Sequence, residues 1–136
     1  MKLKFWNLIL ICILLIGCQN EPKLDGFYSV CNNGEYTEVY FKKNSMRVAS
    51  EIDERKLSEW KKIEIKEDTL YFESFDTWKH NWKAKILNLE ENKAELHNLN
   101  TDVKMSLERI NGNIDFENQR VFWNEFQNRR KNRNCE

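Results

Sequence analysis

The sequence predicts a mainly β domain: a small antiparallel up-and-down barrel of about eight strands, closed by one C-terminal amphipathic helix. Three observations lead there. From Leu24 onward, apolar and polar residues alternate with period two, as half-buried strands require. Turn-forming residues interrupt that alternation at short intervals. After Asn111-Gly112-Asn113 the period changes to a helical one and stays so to the end.

The elements follow in order. Tyr28 and Val30 alternate with Ser29 and Cys31 in the first strand. Asn32-Asn33-Gly34 comes next, and Asn-Gly marks a hairpin because both residues tolerate positive φ. Thr37, Val39 and Phe41 then share one face, with Tyr36, Glu38 and Tyr40 on the other. Lys43-Asn44 reads as a turn, after which Met46 and Val48 alternate with Arg47. Residues 51–58 are charged and read as a loop or a single helical turn. Trp60 to Lys66 places Ile63 and Ile65 on one face, and Glu67-Asp68 turns the chain. Leu70 and Phe72 alternate with Tyr71 and Glu73. Trp82, Ala84 and Ile86 alternate with Lys83, Lys85 and Leu87. Beyond the Glu91-Asn92 turn, Ala94 and Leu96 continue the rhythm. Val103, Met105 and Leu107 form the last strand, with Lys104, Ser106 and Glu108 turned outward. Such alternation implies a sheet with one wet side.

The segment 114–133 lacks both alternation and proline or glycine. Phe116, Phe122, Trp123 and Phe126 cluster at helical spacing, which predicts one amphipathic helix packed on the sheet. Asn113 or Asp115 is the expected cap. Arg129, Arg130, Lys131 and Arg133 lie in the last turn, where cations complement the helix dipole. They read as a solvated helix end, with contact to anionic headgroups as the functional alternative.

Composition bounds the function. Twenty-two basic and twenty-two acidic residues balance. No patch points to nucleic acid. Five tryptophans, eight phenylalanines and a single proline describe a packed chain, not a disordered one. His80 and His97 are the only histidines, and neither has cysteine partners at metal-ligand spacing, so no metal is expected. No nucleophile–base motif occurs, so no catalytic residue or cofactor is assigned and the expectation is a non-enzymatic protein. Phe75, Trp78 and Trp82 surround His80; Trp82 reads as core, and Trp78 as a candidate loop contact.

The first eighteen residues carry a separate signal. Lys2 and Lys4 precede an apolar stretch from Phe5 to Ile16, broken only by Asn7. It is too short to span a bilayer, which takes about 20 apolar residues, and has the length of a secretory h-region. It ends in Leu15-Ile16-Gly17-Cys18. That run resembles the lipobox of bacterial lipoproteins. The resemblance implies cleavage after Gly17, diacylglycerol on the Cys18 thiol and anchoring by two or more acyl chains. Residues 1–17 are then a signal peptide, 18–24 a lipidated tether and 25–133 the domain. Gln19, not an aspartate, follows the cysteine, which in the sorting scheme of such lipoproteins favours the periplasmic face of the outer membrane. The expected location is the bacterial cell envelope.

Export places the domain where disulfides persist. Apart from Cys12 in the signal and Cys18 under lipid, two thiols remain, Cys31 and Cys135. An even pair suggests a bond closing a loop of about 100 residues. The alternatives are two free thiols, or a Cys135 paired with another molecule.

Eight strands and a terminal helix resemble the lipocalin-like family. Gly26-Phe27-Tyr28 stands where lipocalins have glycine, any residue and tryptophan, with Tyr28 replacing the tryptophan. Arg109 ends the last strand where lipocalins place an arginine across that ring. The resemblance implies an apolar ligand inside the barrel, with Val39, Phe41, Phe72, Ile86, Leu96, Met105 and Leu107 as candidate lining. The bland reading is that these side chains fill the core, since eight-stranded barrels can be packed solid. A fainter resemblance is to the membrane-bound inhibitors of c-type lysozyme, through Tyr28-Ser29-Val30-Cys31, Gly34, Val39, Phe41 and the late cysteine. It implies an inhibitor or immunity-type protein with a protruding loop at 51–58 or 76–81. That family's Ser-x-Ser-Gly-x-x-Tyr loop has no counterpart here. A structural envelope component is the third class.

Overall fold

The computed structural model describes residues 23–52, 54–73 and 81–135. The lipobox, Gly17, Cys18 and most of the tether lie outside the described residues, as do Phe75, Trp78 and His80.

Among the described residues nine strands follow one another: β1 (Gly26–Asn32), β2 (Glu35–Lys42), β3 (Ser45–Ser50), β4 (Lys56–Leu57), β5 (Lys61–Lys66), β6 (Thr69–Phe72), β7 (Trp82–Leu89), β8 (Lys93–Asn98) and β9 (Val103–Arg109). One helix, α1 (Gln119–Arg133), comes last. Eight strands close an antiparallel barrel in the order β1-β2-β3-β5-β6-β7-β8-β9, with β9 returning to β1 through Tyr28↔Arg109 and Val30↔Leu107. Closure leaves no long unpaired edge.

The ninth strand corrects the reading of 51–58. Its second half is neither loop nor helical turn but a two-residue strand, in which Leu57 and Lys56 pair with Ala49 and Ser50. The cause lies in β3, which pairs with β5 only through Ser45↔Lys62 and Met46↔Lys61. The far half of β3 would otherwise leave its backbone unpaired, and β4 supplies the partners.

The turns fall where turn chemistry placed them. Asn33 and Gly34 take positive φ (52° and 79°), as a two-residue hairpin turn demands. Lys43 and Glu67 do the same at φ 56° and 55°. These turns set the register that sends Tyr28, Val30, Val39, Phe41, Met46, Val48, Ile63, Leu70, Phe72, Ala84, Ala94, Leu96 and Leu107 into the interior. Ile65 shares the face of Ile63 but is exposed, although its register partner Leu70 is buried.

The barrel has two unlike ends. At the end where β1 begins, Leu24 is buried and the Arg109 guanidinium lies 5.1 Å over the Tyr28 ring. Arg109 Nη2 donates to the Asp25 carbonyl (3.1 Å) and to the Tyr28 hydroxyl (2.9 Å), and Nε donates to the Glu91 carbonyl (2.6 Å). This packing of arginine across the aromatic ring is the one expected of those positions, and it shuts that end. Gly26 makes it possible: its φ is 108°, and a Cβ there would run into the guanidinium.

The helix is shorter than the expected 114–133. Asn118, not Asn113 or Asp115, is the cap, with its side chain accepting from the Val121 N–H (3.2 Å). Asp115 is spent on a turn ahead of it, accepting from the N–H groups of Glu117 and Asn118. Phe116 therefore precedes the helix, yet its ring still packs against Phe27, Tyr40, Trp60 and Phe122.

The helix covers the outside of β1–β2–β3 and makes a second apolar layer there from Tyr36, Tyr40, Ala49, Phe122 and Phe126. The expectation of a wet outer face is thus overturned for β2: Tyr36, Glu38 and Tyr40 are all buried. Cys31 and Cys135 are bonded, with Cα atoms 5.3 Å apart, and the bond ties the end of the helix segment to β1. All these pairings, the helix docking and the disulfide fall within residues 23–135, so this stretch holds its own core.

Candidate functional site

The interior is not packed solid. A cavity of about 280 Å³ lies inside the barrel, and neither Tyr28 nor Arg109 belongs to its lining. Its apolar walls come from Val30 on β1, Val39 and Phe41 on β2, Met46 and Val48 on β3, Trp82 on β7, Leu96 on β8 and Met105 and Leu107 on β9. Asn32, Glu35, Thr37 and Ile52 complete the lining at the end carrying the β1–β2 turn. The volume falls just below the usual range of small-molecule pockets, roughly 300–1,000 Å³.

Five of the seven residues expected to line a ligand site meet at this cavity: Val39, Phe41, Leu96, Met105 and Leu107. Phe72 and Ile86 belong to the same interior layer but not to the lining; Phe72 packs instead on Trp82, with ring centroids 4.6 Å apart. The sequence reading missed Val30, Met46, Val48 and Trp82 as lining, although their alternation had put them inside. It also missed the polar residues. Glu35 and Asn32 continue the inward parity of Thr37 and Val30, face each other in register, and belong to the same surface.

A second cluster lies outside the barrel wall. Glu38 on β2 is fully buried beneath the helix. Tyr36 donates to its Oε1 (2.6 Å) and Tyr40 to its Oε2 (2.5 Å). Arg129 of α1 grips both oxygens, Nε to Oε1 at 2.8 Å and Nη2 to Oε2 at 3.0 Å. That fork geometry is the strong, charge-assisted kind. Burial, then the adjacent Glu38 carboxylate, pushes the Tyr36 and Tyr40 phenols well above their ordinary value. For Arg129, burial acts downward but the Glu38 partner outweighs it, and the guanidinium is held more firmly protonated. The cluster is saturated and closed to solvent on the carboxylate side, so it locks the helix and offers nothing to a substrate.

Neighbouring charges extend the lock. Arg130 pairs with Glu51 (3.0 Å) and Arg133 with Glu108 (2.9 Å). The basic run read as a solvated helix end is therefore largely engaged by the barrel's own acids. A signal for this was present: Phe122, Phe126, Arg129 and Arg133 share one helix face, and a Tyr-x-Glu-x-Tyr pattern offered aromatics where β7 has lysines.

His97 Nε2 lies 2.6 Å from Asp102 Oδ1 on the surface. Among the described residues no group of three histidines, cysteines or acids is placed to hold a metal, and no helix is long and apolar enough to cross a membrane.

The fold and cavity together define a class: a small closed β-barrel, plugged at one end and hollow toward the other. Comparison with protein-family models, curated proteins and solved structures returns no match.

Proposed function

We propose that this protein is a lipid-anchored component of the bacterial cell envelope whose barrel binds a small apolar ligand. The apolar cavity of about 280 Å³ carries the proposal. A closed barrel of eight strands can fill itself with side chains; this one carries the short residues Ala84 and Ala94 in its core. The Tyr28–Arg109 pair supports the lipocalin-like reading, in which one end is shut and the other admits ligand. The Leu15-Ile16-Gly17-Cys18 run supports the anchor, and Gln19 after it supports an outer-membrane address. The reading is of a binder and not a catalyst.

Two experiments test it. Native mass spectrometry of residues 19–136 is expected to show a co-purified or added apolar molecule at one-to-one stoichiometry, lost on Val39→Phe, which fills the cavity. A chain that stays empty against a panel of apolar compounds refutes the binding reading. Cys18→Ser is expected to release the full chain from membranes; a variant that still fractionates with them refutes the anchor.

A further inference from the structure

Among the described residues the cavity lining contains a single ionisable side chain, Glu35. The residue starts β2 on the inward face, the face that continues through Thr37, Val39 and Phe41. Asn32 stands opposite it in register, and both line the cavity. Among the described residues the Glu35 side chain makes no ion pair. Other acids of the described residues, among them Glu38, Glu51 and Glu108, pair with arginines of the helix, and Glu64, Asp68 and Glu95 with lysines, but none of these lines the cavity. Among the described residues no lysine or arginine lines the cavity to compensate it. The described lining therefore presents an apolar chamber with one negative charge at its exposed rim, a neighbouring amide at Asn32 and a hydroxyl at Thr37.

Resting on the apolar-ligand reading, we infer that the ligand is a cationic amphiphile: an apolar body seated among Val39, Leu96, Met105 and Leu107, with a protonated amine at Glu35. The physical reason is electrostatic. An ammonium beside Glu35 supplies the missing counter-charge, whereas a carboxylate head group would set like charges against each other at the edge of a low-dielectric chamber. Asn32 and Thr37 offer acceptors for the remaining N–H groups of an amine. A neutral alcohol falls between the two.

The test is isothermal titration calorimetry of residues 19–136 with three eight-carbon probes, octylamine, octanol and octanoate, at low ionic strength. Octylamine is expected to bind about tenfold tighter than octanoate, since a partly solvated charge contact of this kind is a modest term. Glu35→Gln is expected to erase that preference and Glu35→Lys to reverse it. Glu35 is exposed, so both variants keep the fold; circular dichroism and an intact Cys31–Cys135 bond check this. Three probes of equal affinity, or a preference that survives Glu35→Gln, overturn the amine assignment and leave the apolar-ligand reading standing. No binding by any of the three overturns both.

Discussion

Arg129→Met breaks the lock between helix and barrel while keeping the length and apolar stem of the side chain. In the native protein four donors converge on Glu38: two phenol hydroxyls and two guanidinium N–H groups, at 2.5–3.0 Å. Glu38 has no exposed surface, and the Arg129 side chain is 21% exposed. The substitution leaves a carboxylate in an aromatic layer with two neutral donors and no counter-charge. Removing one partner of a buried ion pair costs about 3–5 kcal/mol, which for a domain of this size lowers the melting temperature by roughly 10–20 °C. Urea unfolding followed by tryptophan fluorescence, with the disulfide intact, measures it. A companion variant separates the cause. Tyr36→Phe, Glu38→Leu, Tyr40→Phe and Arg129→Met together remove the charge, its counter-charge and both phenols, and are expected to recover most of the loss, because an apolar substitute for a buried pair is often neutral. A loss below about 1 kcal/mol for Arg129→Met, or a fourfold variant no more stable than the single one, refutes the reasoning.

Other consequences follow from the same contacts. Double replacement of Cys31 and Cys135 by alanine reopens a loop of 104 residues and is expected to lower stability by at most about 4.7 kcal/mol, read as a shift of the urea midpoint. The Tyr36 and Tyr40 phenols are raised in the folded state, so their contribution is complete below the unfolded value of about pH 10 and is lost as pH climbs beyond it. Stability should fall steeply above that point, and Tyr36→Phe with Tyr40→Phe should flatten the fall in alkaline unfolding curves. Gly26→Ala places a side chain at φ 108° against the Arg109 guanidinium. A loss of about 1–3 kcal/mol is expected, with increased amide exchange at the plugged end.

The legibility of this protein divides along physical lines. Alternation is local, and so are Asn33-Gly34, Lys43-Asn44 and Glu67-Asp68 as turns. Together they determined the eight strands of the barrel and most of their inward faces, though not the short β4, because side chains two apart on a strand must share a face. The pairing of Cys31 with Cys135 was legible for a different reason: few cysteines exist to choose from, whereas the packing of Arg109 on Tyr28 was expected only from the lipocalin resemblance. Coverage of the outer face was not legible. Period-two pattern says that Tyr36, Glu38 and Tyr40 lie together, but only the docking of α1 decides that they are buried, and that Glu38 becomes one half of a buried pair with Arg129, 91 residues away. The helix start likewise turned on whether Asp115 or Asn118 met the first free N–H groups, a contest of near-equal caps. The cavity depends on the summed volumes of side chains from six strands, a quantity no single segment contains. Glu35 had its inward parity written in the chain, yet its meaning waited on the closed barrel, which shows a charge at the rim of a chamber whose described lining holds no other.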